Sequence, residues 1–175
     1  MATREASEHS VARTRREARE FSSWFSVVRA YEECARRYAA LLGCFELTVS
    51  QFDALVSIKA LGSEAMPKTV AKRLLVTRAN VSGLLRRLEE QGLILVAPNE
   101  ADGRSVRCSL TAEGLRVTAQ AQAAAARFVH AQLAPFPTPE LDAIEHQMRA
   151  MHAHLLTLDP VALAVDDESL RTRRR

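Results

Sequence analysis

The stretch LILVAPNEADGRSVRCSLT, residues 93–111, constrains the fold more than any other part of the chain. Two short apolar runs, Leu93 to Val96 and Val106 to Leu110, flank a polar loop that holds Asp102, Gly103 and Arg104. Alternation through Val106, Cys108 and Leu110 predicts the two strands of a hairpin, with these three side chains turned inward. On both sides of the hairpin the apolar spacing changes from strand-like to helical.

Upstream, Phe21, Trp24, Phe25, Val28, Ala35, Ala39 and Leu42 recur at helical spacing, which predicts a long first helix from about Arg19 that stops at Gly43. In LTVSQFDALVSIKALG, Thr48 or Ser50 can cap a second helix carrying Phe52, Leu55, Val56 and Ile58 and ending near Gly62. Pro67 opens a short third helix, PKTVAKRLLV, because a missing N–H costs nothing in a first turn. Thr77 caps a fourth, RANVSGLLRRLEEQ, which Gly92 closes. Val81, Leu84, Leu85 and Leu88 make one stripe of that helix; Ala79, Asn80, Ser82, Gly83, Arg86 and Arg87 lie away from it.

Beyond the hairpin, Thr111 and Glu113 begin an alanine-rich helix, AEGLRVTAQAQAAAARFVHAQL. The prolines of APFPTPE end it. Thr138 then caps a last helix with Leu141, Ile144, Met148, Met151 and Leu155 on one side. The expected organisation is a polar arm over residues 1–18, a helical region over 19–47 and 112–158, a hairpin-bearing domain over 48–111, and a flexible tail over 159–175.

Several function classes drop out on composition. With 175 residues, 47% hydrophobic and 26% charged, the chain is globular and long enough to bury a core. No apolar run nears the roughly 18 residues of a membrane span. The first twenty residues lack the apolar centre of a secretory signal, so a soluble, cytoplasmic protein is expected. Cys34, Cys44 and Cys108 are odd in number and lack CxxC spacing, which argues for buried small hydrophobes rather than a disulfide framework or zinc knuckle. His130, His146, His152 and His154 include no pair at i, i+4 spacing, so neither a metal nor another cofactor is expected. A Gly-rich phosphate loop, a nucleophile motif and a placeable carboxylate pair are also lacking, which argues against an enzyme.

Charge points the other way. The net charge is only +3, but between Pro67 and Arg116 nine Lys or Arg stand against five acids. The whole positive excess therefore lies in the middle third, as a basic face for a polyanion requires. Helix, short helix, helix, hairpin, from Ser50 to Thr111, is the order of a winged helix-turn-helix. A recognition helix must offer small and polar residues outward while its apolar stripe holds it to the scaffold. Ala79, Asn80, Ser82 and Gly83 supply the small bulk, and Arg78, Arg86 and Arg87 flank them with charge. The expected fold class is mainly α with a small β-hairpin wing.

The segments LTVSQFDAL, VAKRLLVTRANVSGLLRRLEEQGLI and, above all, DGRSVRCSLTAEG resemble the MarR family, the multiple antibiotic resistance regulators of bacteria. The likeness spans roughly Arg19 to Leu156. It implies a homodimeric DNA-binding repressor or activator whose first and last helices interlock with a partner's. Two recognition helices would then enter successive major grooves of a palindromic site, about 34 Å apart. The family's base-reading positions fall on Arg78, Asn80 and Gly83, with Thr77, Ser82 and Arg86 beside them. Gly83 lacks the side chain that relatives can carry, which shifts readout toward Arg78, Asn80 or Arg86. Lys68, Thr69, Lys72 and Arg87 are placed for phosphate contacts, which set affinity and salt dependence but not sequence.

For the wing, the resemblance implies that Arg104 enters the minor groove and that Asp102 orients its guanidinium. Gly103 departs from the second arginine that many relatives carry there. Arg107, farther down the strand, is expected to meet phosphate or solvent. Many relatives release DNA when a small aromatic or phenolic acid binds between the dimerisation helices and the DNA-binding lobe. The corresponding positions are Trp24, Val28, Arg29 and Glu32 on the first helix and Val49, Gln51 and Asp53 on the second, with Arg29 as carboxylate partner. A redox trigger at Cys34 and a winged-helix protein-interaction module are the alternatives.

Overall fold

The computed structural model describes residues 2–99 and 102–164, apart from the side chains of residues 2–13, 78, 102–104 and 164. The elements run α1 (Ala2–Gly43), α2 (Val49–Leu61), a single 3-10 turn (Gly62–Glu64), α3 (Pro67–Leu74), α4 (Arg78–Glu90), β1 (Ile94–Asn99), β2 (Asp102–Leu110), α5 (Ala112–Leu133), α6 (Thr138–Leu155) and α7 (Pro160–Ala164). Among the described residues, those up to Phe128 form one compact unit and those from Val129 onward a second.

The polar arm expected over residues 1–18 is helical from Ala2 and continuous with the rest of α1. Among its described side chains, Arg16 Nε lies 2.8 Å from Glu20 Oε1 one turn away, a pairing that favours the helix modestly. Further along, Glu33 pairs with both Arg36 and Arg37.

Thr48 caps α2 through a reciprocal box. Its hydroxyl accepts the Gln51 N–H at 3.3 Å, and Gln51 Oε1 accepts the Thr48 N–H at 2.9 Å. The same Gln51 donates through Nε2 to Gln91 Oε1 at 2.9 Å, tying the start of α2 to the end of α4. Thr77 caps α4 by accepting the Asn80 N–H at 3.3 Å. Between α3 and α4 the chain turns through Leu75, which is left-handed at φ 56° and ψ 37°.

Around these helices a core forms from Phe52, Leu55 and Ile58 of α2, Val70 and Ala71 of α3, and Val81, Leu85 and Leu88 of α4. Ile94, Cys108, Val117 and Ala121 close it from the hairpin and α5. Leu84, expected on the buried stripe of α4, is only partly covered. The Cys108 N–H donates to Ala65 O at 2.7 Å, so β2 is held on its outer edge by the segment ahead of α3.

The antiparallel hairpin is longer than its apolar runs, because pairing continues to Pro98↔Val106 before an irregularity at Pro98/Asn99. Inward alternation fades along it. Cys108 is fully buried and Leu110 half-buried, but Val106 is 40% exposed, since its partner Pro98 already lies beyond the core. Of the three cysteines expected to be buried, only Cys108 is; Cys34 is half-buried, and Cys44, in the turn after α1, is exposed.

In the second unit, α6 begins at Thr138 with Pro137 as its cap, one residue earlier than expected. Leu141 is half-buried, whereas Ile144, Met148 and Met151 are each 41% exposed. The expected tail divides into the short α7 and residues 165–175, which lie outside the described residues. Among the described residues no helix is long and apolar enough to cross a membrane.

Candidate nucleic-acid interface

The exposed face of α4 follows from its buried one. Val81, Leu85 and Leu88 are 0–4% exposed and fix the rotation of the helix, so Ala79, Asn80, Ser82, Arg86 and Arg87 point outward. Gly83 lies among them, and a Cβ added there would meet nothing within 4 Å. Thr77 is exposed as well, with its hydroxyl engaged in the cap of α4. The Arg86 guanidinium sits 3.8 Å from Glu90 on the solvent side. Arg78 is the first residue of α4, but its side chain lies outside the described residues.

On α3, Lys68 and Lys72 are exposed cations, joined by Arg73. Thr69 differs from its expected role. Its hydroxyl donates to Glu64 O at 2.6 Å and accepts the Met66 N–H at 2.9 Å, so it serves the start of α3 rather than standing ready for phosphate.

An open groove of about 490 Å³ runs along this face. It is lined by Asn80, Gly83 and Arg87 of α4, Ser50 and Asp53 of α2, Leu74 at the end of α3 and Val76 of the turn that follows. Burial pushes the Asp53 carboxyl above its ordinary value. The Tyr38 phenol is raised too, first by burial and then by the Asp53 charge. Ser50 is singled out in the sequence only as a possible helix cap, and Leu74 and Val76 not at all; the tertiary fold brings them to α4.

The wing is formed at backbone level, with Asp102, Gly103 and Arg104 opening β2. The expected orientation of Arg104 by Asp102 concerns side chains outside the described residues. Arg107, expected to meet phosphate or solvent, is half-buried, and its Nε is buried without a hydrogen-bond partner.

The expected effector positions divide. Trp24 borders a cavity of about 330 Å³ with Glu20 and Phe21, whereas Asp53 borders the groove on α4. Trp24 stands edge-on to Phe25, with ring centroids 4.9 Å apart, and is 57% exposed. Val28 and Val49 are half-buried, and Arg29 and Glu32 are exposed. Gln51 is committed to the Thr48 cap and to Gln91.

Residues 45–105, from the end of α1 to the wing, match the model of the MarR family. Among curated proteins none matches the chain. Solved structures do. The organohalide-sensing transcriptional regulator RdhR in its ligand-free form is 23% identical, with a TM-score of 0.66 over 81% of this chain and 88% of that one. A probable transcriptional regulator from Pseudomonas aeruginosa is 26% identical, with a TM-score of 0.57 over 70% and 93%. MepR from S. aureus, solved as a complex with DNA, is 21% identical, with a TM-score of 0.66 over 74% and 96%. The chain thus matches the MarR family model across its helix-turn-helix and wing, and shares the winged-helix fold of these solved regulators beyond it.

Proposed function

We propose that the chain is a homodimeric repressor that binds palindromic operators through α4 and the wing and is released by a small aromatic or phenolic ligand. The observation that carries the reading is the α4 face: small and polar residues outward, cations on its flanks, and a fully buried apolar stripe behind. The DNA complex of MepR, a relative in fold, supports it. Asn80 and Arg78 read base edges; Lys68, Lys72 and Arg87 meet phosphate; Arg104 enters the minor groove.

Exposed apolar side chains support the second copy. Phe21, Trp24 and Phe25 on α1 are 49–66% exposed, and Ile144, Met148 and Met151 on α6 remain open too. Each helix by itself leaves a patch that a monomer in water would rarely keep. Ligand release is supported by RdhR, which is also solved in a 2,4-dichlorophenol-bound form. A ligand can act only by preferring a spacing of the two α4 helices that does not fit DNA.

A mobility shift with the upstream promoter fragment and a scrambled duplex tests the reading. Retardation of the promoter fragment at protein concentrations that leave the scrambled duplex free supports it; no retardation of either at low salt removes it. The chain has a single tryptophan, Trp24, so quenching of its fluorescence by phenolic acids reports the ligand step directly.

A further inference from the structure

The turn between α3 and α4 contains a residue that the fold holds at a cost. Leu75 is one of only two described non-glycine residues with positive φ, at 56°, a conformation disfavoured for a side chain with a Cβ. Hydrogen bonds hold it there: its N–H donates to Lys72 O at 3.4 Å, and the next N–H, of Val76, reaches Ala71 O at 3.1 Å. Nothing apolar rewards the strain, because Leu75 is 92% exposed. Glycine or asparagine would satisfy this backbone with less strain and less apolar surface.

Its place gives the exposure a meaning. Leu75 lies two residues ahead of the Thr77 cap, between Leu74 and Val76, which line the groove together with Asn80, Gly83 and Arg87. Exposed Lys72 and Arg73 immediately precede this turn. An apolar tip among cations, at the leading edge of a recognition helix, complements the edge of a duplex. There phosphates meet the cations, and deoxyribose and thymine methyl groups offer carbon surface.

We infer that Leu75 is a DNA-contact residue of the α3–α4 turn, packing its side chain on the sugar and methyl edge of the major groove. The inference rests on the DNA-binding reading above and adds to it a contact without charge. The backbone strain is retained because the turn aims an apolar group at the duplex.

The test compares wild type with Leu75→Gly and Leu75→Asn, by thermal unfolding and by DNA affinity over a salt series. Both variants should melt higher than wild type. Each should bind the duplex more weakly, by roughly tenfold for each leucine side chain withdrawn from the DNA, with the salt slope unchanged because no cation is removed. Wild-type affinity in both variants would overturn the inference while leaving the regulator reading intact. Lower melting of both would overturn it too, by showing that Leu75 holds the fold. Failure of wild type itself to bind DNA would remove the reading and this inference together.

Discussion

Gly114, in the first turn of α5, is where the recognition lobe is locked to the helix that leaves it. The Thr111 N–H donates to Leu93 O at 3.1 Å, the Thr111 hydroxyl donates to Gly92 O at 2.7 Å, and the Gly114 N–H donates to that hydroxyl at 2.9 Å. These bonds draw α5 so close to the start of β1 that a Cβ on Gly114 would lie 1.9 Å from Leu93 O and 2.9 Å from Leu93 C. Both atoms are backbone, so relief in Gly114→Ala requires α5 or β1 to move. Forced overpacking costs about 1–3 kcal/mol. Loss of the Thr111–Leu93 hydrogen bond adds about 1 kcal/mol. The helical preference of alanine over glycine returns somewhat under 1 kcal/mol. The net destabilisation is about 1–3 kcal/mol, or a fall in Tm of roughly 2–12 °C for a chain of this size. Urea and thermal unfolding read it, with Gly83→Ala as the control. A Cβ at Gly83 meets nothing within 4 Å, so that variant should gain roughly 0.5–1 kcal/mol. A Gly114→Ala protein that melts with wild type would refute the reasoning.

Further outcomes follow from the same side chains. Arg78→Ala should lose affinity mainly for the cognate site, whereas Lys72→Ala should weaken cognate and scrambled duplexes alike and flatten the dimer's salt slope by about 2; equal losses on both duplexes for both variants would contradict the assignment. The Cys108 thiol is pushed up to about 11 by burial and, next, by the Glu89 charge. The folded state thus holds its proton more tightly than the unfolded chain, so stability should fall as pH climbs from the ordinary thiol value of 9.0 toward 11, and Cys108→Ala should lessen that slope in alkaline melts. Asp53 is also raised, by burial, which means that its charged form is penalised in the fold. Stability is lost as pH rises through its folded value, so Asp53→Asn should melt above wild type at neutral pH, with the gain vanishing in acid.

The parts that were legible in the sequence are those decided within one or two turns. Thr48, offered beside Ser50, and Thr77 as caps, Pro67 as an opener, and most of the α4 stripe each depend on neighbours three or four residues away. The order of elements then followed, and with it the winged helix. Features set by distant partners or by charge pairs were not legible. The start of α1 carries no apolar period, so its sequence reads as an arm although its backbone is helical. Gln51 looked like a pocket lining because nothing nearby announces Gln91, forty residues later. Thr69 reads as a phosphate contact, but nothing nearby in sequence announces that Glu64 O takes its hydroxyl. Leu75 carries no glycine or asparagine to mark a left-handed turn, and Trp24 and Asp53 were grouped although they border separate cavities.

The central claim is that a dimer presents two α4 helices to duplex DNA, with Lys68, Lys72 and Arg87 of each protomer on phosphate. Fluorescence anisotropy of a labelled operator, titrated with wild-type protein between roughly 50 and 200 mM salt, tests it most directly. About six phosphate contacts predict a slope of log affinity against log salt near −5, at a stoichiometry of two chains per duplex and with binding at least about a thousandfold tighter than to scrambled DNA. A slope near zero, a single bound chain, or equal affinity for both duplexes would contradict the account.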